Sequence, residues 1–268
     1  MTIYTNQKKI WNIVFVICHP DDEAMWVGGL ISELTSFDFL KIHVICLSGG
    51  NPNGERLSEF LKAKEISGYS GAFISPEPLR EANNPLSNIL QTVEMGIQNL
   101  GLAQHEIDIL ITHPPHGDEH GHPHHKQAYR DLYNWTRKTR IPFGYFSTTA
   151  IPYFTLKPIM KNMKRHGTLK VSKIATCSSN ISILRKLFSK SVKDFHTPKY
   201  YIEFLSDQKK KEKMIECYNS IDLKAHEEGY VSYSQNSESV YIMDNNGMNI
   251  FQKVIDNMEV PGRKSLFP

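Results

Sequence analysis

The chain has 268 residues, enough for one sizeable hydrophobic core, and its 40% hydrophobic and 22% charged residues are typical of a soluble globular protein. No apolar run approaches the roughly 20 residues that span a bilayer, and the polar N-terminus lacks a secretory signal pattern. The four cysteines have no C-x-x-C spacing, which suits reduced thiols and predicts a cytoplasmic protein.

The formal net charge of +3 conceals a strongly basic segment. Residues 157–213 contain 15 lysines and arginines against 4 aspartates and glutamates, so the rest of the chain is acidic. Two interpretations of this segment stay open: a solvated lysine-rich surface, or a surface that faces phosphate or anionic lipid. The sequence contains no recognisable motif of a nucleic-acid-binding module, so no nucleic-acid partner is predicted.

The first half of the chain alternates predicted strands with predicted helices. The predicted strands are residues 11–18, 41–47, 71–74 and 106–112, and the predicted helices are 22–36, 55–69 and 87–100. Alternation of this kind indicates a parallel sheet with right-handed crossovers. We therefore expect an α/β fold, a Rossmann-like three-layer α/β/α sandwich with a mostly parallel sheet whose strand order is near 3-2-1-4-5.

The pattern is looser after residue 140. Residues 143–149 and 151–156 are predicted strands, and 207–220 is a predicted helix. No linker rich in proline, glycine or serine separates two domains, so a single domain is expected over 1–268. Residues 1–150 are expected to form its motif-bearing core. Residues 151–268 are expected to complete the edge of the sheet and to form one side of the functional site.

A histidine and two adjacent aspartates follow the first predicted strand. His19, Asp21 and Asp22 lie in the sequence HPDDE, directly before the first predicted helix. Open α/β sheets bind ligands at the carboxyl ends of their strands. Two interpretations fit this segment alone. Its acidic residues cap the helix, or His19 and Asp22 hold a metal ion and leave Asp21 free as a base.

A histidine-rich segment follows the fourth predicted strand, where residues 113–125 contain six of the 12 histidines. Strands one and four flank the switch point of a 3-2-1-4-5 sheet, so the two clusters are expected to meet. Zinc favours imidazole and carboxylate ligands, which His19, Asp22 and one or two of these histidines supply. Taken individually, His116 and His124 are expected to be surface histidines that bind metal only adventitiously.

Three motifs stand out when these clusters are combined with the loop after the second strand. They are HPDDE at 19–23 followed by two glycines at 28–29, GHPHH at 121–125, and LSGGN at 47–51 with GERLSE at 54–59. Together they resemble the LmbE/PIG-L family of metal-dependent de-N-acetylases. The motifs cover about half of the chain, roughly residues 11–130. A weaker similarity is the sequence CYNS at 217–220, near the position where members often carry a Y-x-S-Q sequence.

The resemblance implies a role for individual residues. Three residues match the ligands of a zinc ion or another divalent metal: His19, Asp22 and His125. Asp21 matches the general base, and His122 matches a histidine that stabilises charge or protonates the leaving amine. Three residues match positions of substrate contact: Arg56, Asn51 and His120. His120 stands where some members have a tyrosine implicated in catalysis, and two interpretations stay open: it replaces that donor, or it points at solvent.

The function implied is a zinc-dependent N-deacetylase acting on an N-acetylglucosamine-type conjugate and releasing acetate and a free amine. A nucleotide or lipid diphosphate on the conjugate would suit the basic segment 157–213. Alternatives are an amidase acting on another N-acyl substrate and an inactive metal- or sugar-binding module. A phosphoesterase is disfavoured because it would need bridging carboxylates for two metal ions, and few are available. A Rossmann oxidoreductase is disfavoured because the first strand is not followed by G-x-G-x-x-G.

Overall fold

The computed structural model describes residues 9–49, 54–78, 81, 83–118, 121–148, 154–160, 164–166, 169–179, 196–206, 208–219 and 237–258. The strands are Trp11–Ile17 (β1), Leu40–Cys46 (β2), Gly71–Ile74 (β3), Ile107–Thr112 (β4), Phe143–Phe146 (β5), Phe154–Met160 (β6), Lys164–His166 (β7), Leu169–Ser179 (β8), Tyr200–Leu205 (β9) and Ser237–Ile242 (β10). The helices are Asp22–Leu34 (α1), Glu55–Ser67 (α2), Ile89–Asn99 (α3), Pro123–Thr139 (α4), Gln208–Ile215 (α5) and Asn245–Asp256 (α6).

The strands of the described residues form one mixed sheet in the order β3-β2-β1-β4-β5-β10-β9-β8-β6, with β7 paired to β8. The pairs among β1 to β5 are all parallel, which confirms the predicted α/β fold and its 3-2-1-4-5 order. Beyond β5, every strand pair is antiparallel. The second half of the chain therefore extends the same sheet past its predicted edge.

The sheet is covered on both faces because its central strand is apolar on both sides. Alternate β1 residues Ile13 and Phe15 pack into a core with α1, α2, α5 and α6. Val14 and Val16 pack into a second core with α3 and α4. A parallel strand buried on both faces is a continuous apolar run rather than an alternating one. The result is the predicted three-layer arrangement.

Most of the antiparallel extension had no clear signal in the sequence. Of its strands, only β6 overlaps a predicted strand, 151–156, and it runs later, from Phe154 to Met160. In β8, the pairing with β9 shifts register between Val171 and Lys173. Such an irregularity breaks the period of two by which a half-buried strand is recognised.

Helix α1 approaches the second half of the chain closely at its two glycines, Gly28 and Gly29. A Cβ atom at Gly29 would lie 2.2 Å from Ser206 Oγ, and one at Gly28 would lie 3.2 Å from Met214 Sδ. The helix is also interrupted at Val27, whose backbone angles are φ −139° and ψ 15°. An interrupted helix exposes backbone N–H groups that need new acceptors.

Glu238 of β10 supplies those acceptors. Its carboxylate accepts a hydrogen bond from the backbone N–H of Gly29 at 3.2 Å and another from that of Leu30. Lys211 Nζ of α5 lies 3.1 Å from Glu238 Oε1, and both side chains are buried. Lys211 belongs to the basic segment 157–213, yet it is an internal partner of a carboxylate rather than part of a solvated surface.

The structure predicts that His43 makes the protein sensitive to mild acid. Its ring is buried on β2, and Nε2 lies 3.2 Å from Asn12 Oδ1. Burial, with Lys41 adding, lowers the pKa of His43 to about 4, whereas an unfolded histidine has a pKa near 6.5. The unfolded chain therefore binds the proton first as pH falls from about 6.5 to about 4, and stability declines by on the order of 2 kcal/mol.

The check is urea unfolding of the wild type and of His43→Gln across that pH range. Glutamine can still donate to Asn12 but does not titrate, so the variant should lose less stability on acidification. His105→Gln, at an exposed histidine, serves as the matched control. An identical pH slope for the wild type and His43→Gln would contradict the prediction.

No helix in the part of the chain that the structure describes is both long enough and apolar enough to cross a membrane.

Candidate active site

The two histidine-containing clusters meet at one end of the sheet. The first follows β1 and the second follows β4, and these two strands are parallel neighbours. The ring centroid of His19 lies 4.9 Å from that of His122 and 5.3 Å from that of His125. Residues about a hundred positions apart therefore share one site, at the carboxyl ends of the strands, as the strand order predicted.

The side chains of His19, Asp22 and His125 approach one another closely. His19 Nδ1 lies 3.5 Å from Asp22 Oδ2, and His125 Nε2 lies 3.5 Å from Asp22 Oδ1. The two ring nitrogens, His19 Nδ1 and His125 Nε2, are 3.4 Å apart. Ligand atoms around a tetrahedral zinc ion, at bond lengths of about 2.0–2.2 Å, are separated by about 3.3–3.6 Å. The donor set His19, Asp22 and His125 therefore fits a divalent metal ion.

A second trio, Cys18, His113 and His125, also brings its ligand atoms within 4.8 Å of one another. The rings of His113 and His125 are stacked, with centroids 3.8 Å apart and planes inclined by 10°. Imidazole lone pairs lie in the ring plane, so two stacked rings do not converge on one ion. Burial raises the pKa of the Cys18 thiol well above its ordinary value, which opposes the thiolate that binds zinc. This trio fits a metal less well.

A third trio replaces Asp22 with His122. The Nδ1 atom of His122 already accepts a hydrogen bond from the backbone N–H of His124 at 3.2 Å, because His122 is the N-cap of α4. Pro123 at the first helical position favours this helix start. The ring also packs against His125 at 4.6 Å. His122 is therefore placed beside His19 and His125, with Nε2 as its remaining hydrogen-bonding atom.

The carboxylate of Asp22 is held by groups that sequence reasoning did not assign. Its Oδ2 atom accepts hydrogen bonds from the backbone N–H groups of His19 at 2.8 Å and Cys18 at 3.2 Å. The Nε2 atom of His113, at the end of β4, lies 3.2 Å from the same oxygen. Burial opposes the charge on Asp22, but His125 and His113 outweigh it and hold its pKa well below the ordinary value. Asp22 is therefore ionised and fixed in orientation.

Asp118 supports the ring of His125 from the other side. Its Oδ2 atom lies 3.3 Å from His125 Nδ1, and its Oδ1 atom accepts from the backbone N–H of His122 at 3.1 Å. Burial opposes protonation of His125, but Asp22 and Asp118 raise its pKa to about 9. A carboxylate behind a histidine ligand is the usual means of orienting such a ring.

Asp21 lies next to the trio in an unusual backbone conformation. Its φ of 152° is in a region that L-residues rarely adopt, and its side chain is almost fully buried. Burial raises the pKa of Asp21 well above its ordinary value, and the charges of Asp22 and Glu23 raise it further, while Arg56 lowers it. Backbone strain of this kind concentrates at functional sites because the surrounding structure must hold it.

Glu23 connects the HPDDE segment to the second half of the chain. Its buried Oε1 accepts a hydrogen bond from the hydroxyl of Tyr218, a residue of the CYNS sequence at 217–220. Burial, the larger effect, raises the pKa of Glu23 to about 7, although the bond from Tyr218 lowers it. Residues 208–219 therefore lie directly behind the site.

Of the three residues that matched substrate contacts, only Arg56 is among the described residues. Arg56 is half-buried in the first turn of α2, close enough to Asp21 for its charge to lower that pKa. Asn51 and His120 lie outside the described residues, as do residues 180–195 of the basic segment.

The expectation that His116 and His124 are surface residues is wrong. His116 is 4% exposed and His124 is fully buried. The ring of His124 contacts the ring of His19 and a loop carbonyl, so it belongs to the surroundings of the site.

Comparisons with known proteins point to one family. The family described as PIG-L: GlcNAc-PI de-N-acetylase matches residues 14–135. A probable N-acetylglucosaminyl-phosphatidylinositol de-N-acetylase of Schizosaccharomyces pombe is 42% identical over 52 residues, which are 19% of this chain and 21% of that protein. The 1D-myo-inositol 2-acetamido-2-deoxy-alpha-D-glucopyranoside deacetylase of Corynebacterium diphtheriae is 26% identical over 180 residues, covering 52% of this chain and 61% of that protein.

The chain thus spans between about a fifth and three fifths of the length of these two curated relatives. Among solved structures, the crystal structure of a deacetylase–teicoplanin complex from the teicoplanin biosynthesis pathway has a TM-score of 0.48 and 10% sequence identity. That alignment covers 86% of this chain and 97% of the other.

Proposed function

We propose, from the match of residues 14–135 to the PIG-L family, that the protein is a metal-dependent deacetylase of an N-acetylated amino-sugar conjugate. The reaction splits the amide bond with water and releases acetate and a free amine. The observation that carries the proposal is the mutual approach of His19, Asp22 and His125: the two ring nitrogens are 3.4 Å apart, and each lies 3.5 Å from a different carboxylate oxygen of Asp22, with Asp21 next in sequence.

The metal would be held by His19, Asp22 and His125. Three protein ligands leave a position open, which is the pattern of catalytic rather than structural zinc sites. When bound, a zinc ion or another divalent ion supplies a Lewis acid that polarises the amide carbonyl and activates water.

Asp21 is the proposed general base. Asp21 is the neighbour in sequence of the proposed ligand Asp22, but its own carboxylate is not needed as a ligand. It can therefore accept the proton of the attacking water. The same proton then passes to the leaving nitrogen when the carbon–nitrogen bond breaks, which balances the reaction. The half-buried guanidinium of Arg56, whose charge acts on Asp21, is proposed to contact the substrate.

His122 is proposed to stabilise the negative charge that develops on the carbonyl oxygen. Because Nδ1 accepts from the backbone N–H of His124, the ring proton is on Nε2, which is the atom available to donate. A donor aimed at developing charge in a site that excludes water is worth more than the same donor in solution. A neutral His122 suffices for this role, since burial, with His125 and His19 adding, lowers its pKa to about 3.

The proposed substrate class is an N-acetylglucosamine conjugate. The names of both curated relatives specify an N-acetylated glucosamine joined to an inositol. A nucleotide or lipid diphosphate is a further proposed aglycone, because residues 157–213 are strongly basic. The cytoplasm is the proposed compartment, consistent with four free cysteines.

The test is an acetate-release screen with the purified chain, with Zn²⁺ added or after treatment with a chelator. Substrates are N-acetylglucosaminyl inositol, vesicles containing N-acetylglucosaminyl phosphatidylinositol, UDP-N-acetylglucosamine, free N-acetylglucosamine and an N-acetylated amino acid. We expect acetate release from at least one sugar conjugate, lost on chelation and restored by a metal ion. Metal analysis should give one ion per chain.

The other outcomes separate the alternatives. Release from the N-acetylated amino acid alone would indicate an amidase with a different substrate class. Binding of one metal ion without any acetate release would indicate an inactive binding module. Full activity after complete removal of the metal would contradict the proposed chemistry.

A further inference from the structure

His124 links a proposed metal ligand to a loop that lies between β3 and α3. Its ring is fully buried at the second position of α4. His124 Nδ1 lies 2.9 Å from His19 Nε2, and His124 Nε2 lies 2.7 Å from the backbone carbonyl oxygen of Asn84. Both ring nitrogens of His124 are therefore engaged, and neither is available to a metal ion.

This chain of contacts fixes the position of each proton. A carbonyl oxygen can only accept, so His124 Nε2 must carry the proton and donate to Asn84. His124 Nδ1 then has a lone pair and accepts, which requires a proton on His19 Nε2. His19 Nδ1 is left with its lone pair, and this is the atom that faces Asp22 and His125.

The loop that carries the Asn84 carbonyl is itself held in place. The side chain of Gln127, one turn along α4, donates from Nε2 to the carbonyl oxygen of Leu86 and accepts at Oε1 from its N–H, both at 2.9 Å. Leu86 is buried and packs in the same core as α3 and α4. The loop beside Asn84 is thus fastened to the helix that carries His124, so the acceptor is preorganised.

We infer that His124 is a positioning residue that holds His19 in the tautomer and orientation required to bind a metal ion. Metal-bound histidines usually donate their other ring N–H to a carboxylate, a carbonyl or water. Here the neutral ring of His124 accepts that hydrogen bond from His19, and it donates another to the backbone carbonyl of Asn84. The inference rests on the proposed function, because it presupposes that His19 is a metal ligand.

The competing explanation is that His124 only fills space and anchors the loop. Two substitutions separate these roles. In His124→Asn, the amide oxygen lies near the former Nδ1 and can still accept from His19, but the bond to Asn84 is lost. In His124→Gln, the amide reaches the former Nε2 position and can bond to Asn84, but no acceptor faces His19. His124→Leu removes both contacts.

The experiment measures Zn²⁺ affinity of the full chain by competition with a chromophoric chelator, and thermal unfolding of the metal-free proteins is recorded alongside. We expect His124→Leu and His124→Gln to bind Zn²⁺ about 10–100-fold more weakly than the wild type. His124→Asn should remain within about 3-fold of the wild type. His105→Leu, at an exposed histidine, is the matched control and should not change the affinity.

The order of the variants decides the result. Affinity retained in His124→Leu, or retained in His124→Gln and lost in His124→Asn, overturns the positioning role. The comparison of His124→Asn with His124→Gln decides the result even if His124→Leu fails to fold. A wild type that binds no Zn²⁺ overturns the proposed function itself, an outcome distinct from any difference among the variants.

Discussion

Replacing Asp21 with asparagine is expected to leave metal binding intact and to reduce kcat/KM for acetate release by about 10²–10⁴-fold, the usual contribution of a general base. Asparagine has nearly the same size and shape as aspartate but cannot accept the proton of water. Asparagine and aspartate also have similar backbone preferences, which matters because the φ of Asp21 is 152°. The substitution therefore changes the chemistry without an added backbone penalty.

The matched comparison is Asp22→Asn, which alters the neighbouring carboxylate. Because Asp22 contacts both His19 and His125 at 3.5 Å, its loss should weaken Zn²⁺ binding as well as activity. Metal affinity and steady-state kinetics on the same preparations distinguish a base from a ligand. An Asp21→Asn protein that retains metal and wild-type activity would falsify the assignment of Asp21.

Replacing Glu238 with leucine is expected to lower the free energy of unfolding by about 3–5 kcal/mol, the usual cost of breaking a buried ion pair. The substitution leaves the buried ammonium of Lys211 without its carboxylate. It also removes the acceptor of the Gly29 and Leu30 N–H groups where α1 is interrupted. These amides are buried, so water cannot readily replace the lost partner.

A double-mutant cycle with Lys211→Met tests whether the two charges are coupled. The double variant should lose less stability than the sum of the two single variants, because no unpaired charge is left. Urea unfolding gives the free energies. Arg130→Met is the control: its ion pair with Asp131 has a similar distance of 2.9 Å but is exposed, so the loss should stay below about 1 kcal/mol. Additive effects in the cycle would contradict coupling.

The meeting of the two clusters could be predicted because it depends on strand order alone. HPDDE follows β1 and the histidine-rich segment follows β4, and neighbouring parallel strands end at the same edge of a sheet. Apolar runs and turn residues are local signals, and they place these strands within a few residues. The pairing of β8 with β9 is irregular, and the pairing of β9 with β10 joins segments that are distant in sequence.

The roles of individual histidines could not be read in the same way. The histidines of residues 113–125 are alike in composition, and His124 was predicted to lie at the surface. Its burial depends on the loop at Asn84, which is 40 residues away in sequence. Likewise, His113 reaches Asp22 only because β4 ends beside the first turn of α1. Contacts of this range leave no periodic pattern in the sequence.

The amino-acid sequence by itself determined the fold class, the edge of the sheet where the site lies, and the residue types that suit a divalent metal and a base. The tertiary structure decided how those residues are held. It places His124 and a loop carbonyl behind His19, His113 and two backbone N–H groups on Asp22, and Asp118 behind His125. The physical reason is that hydrogen bonds depend on distance and direction between atoms, which only packing establishes.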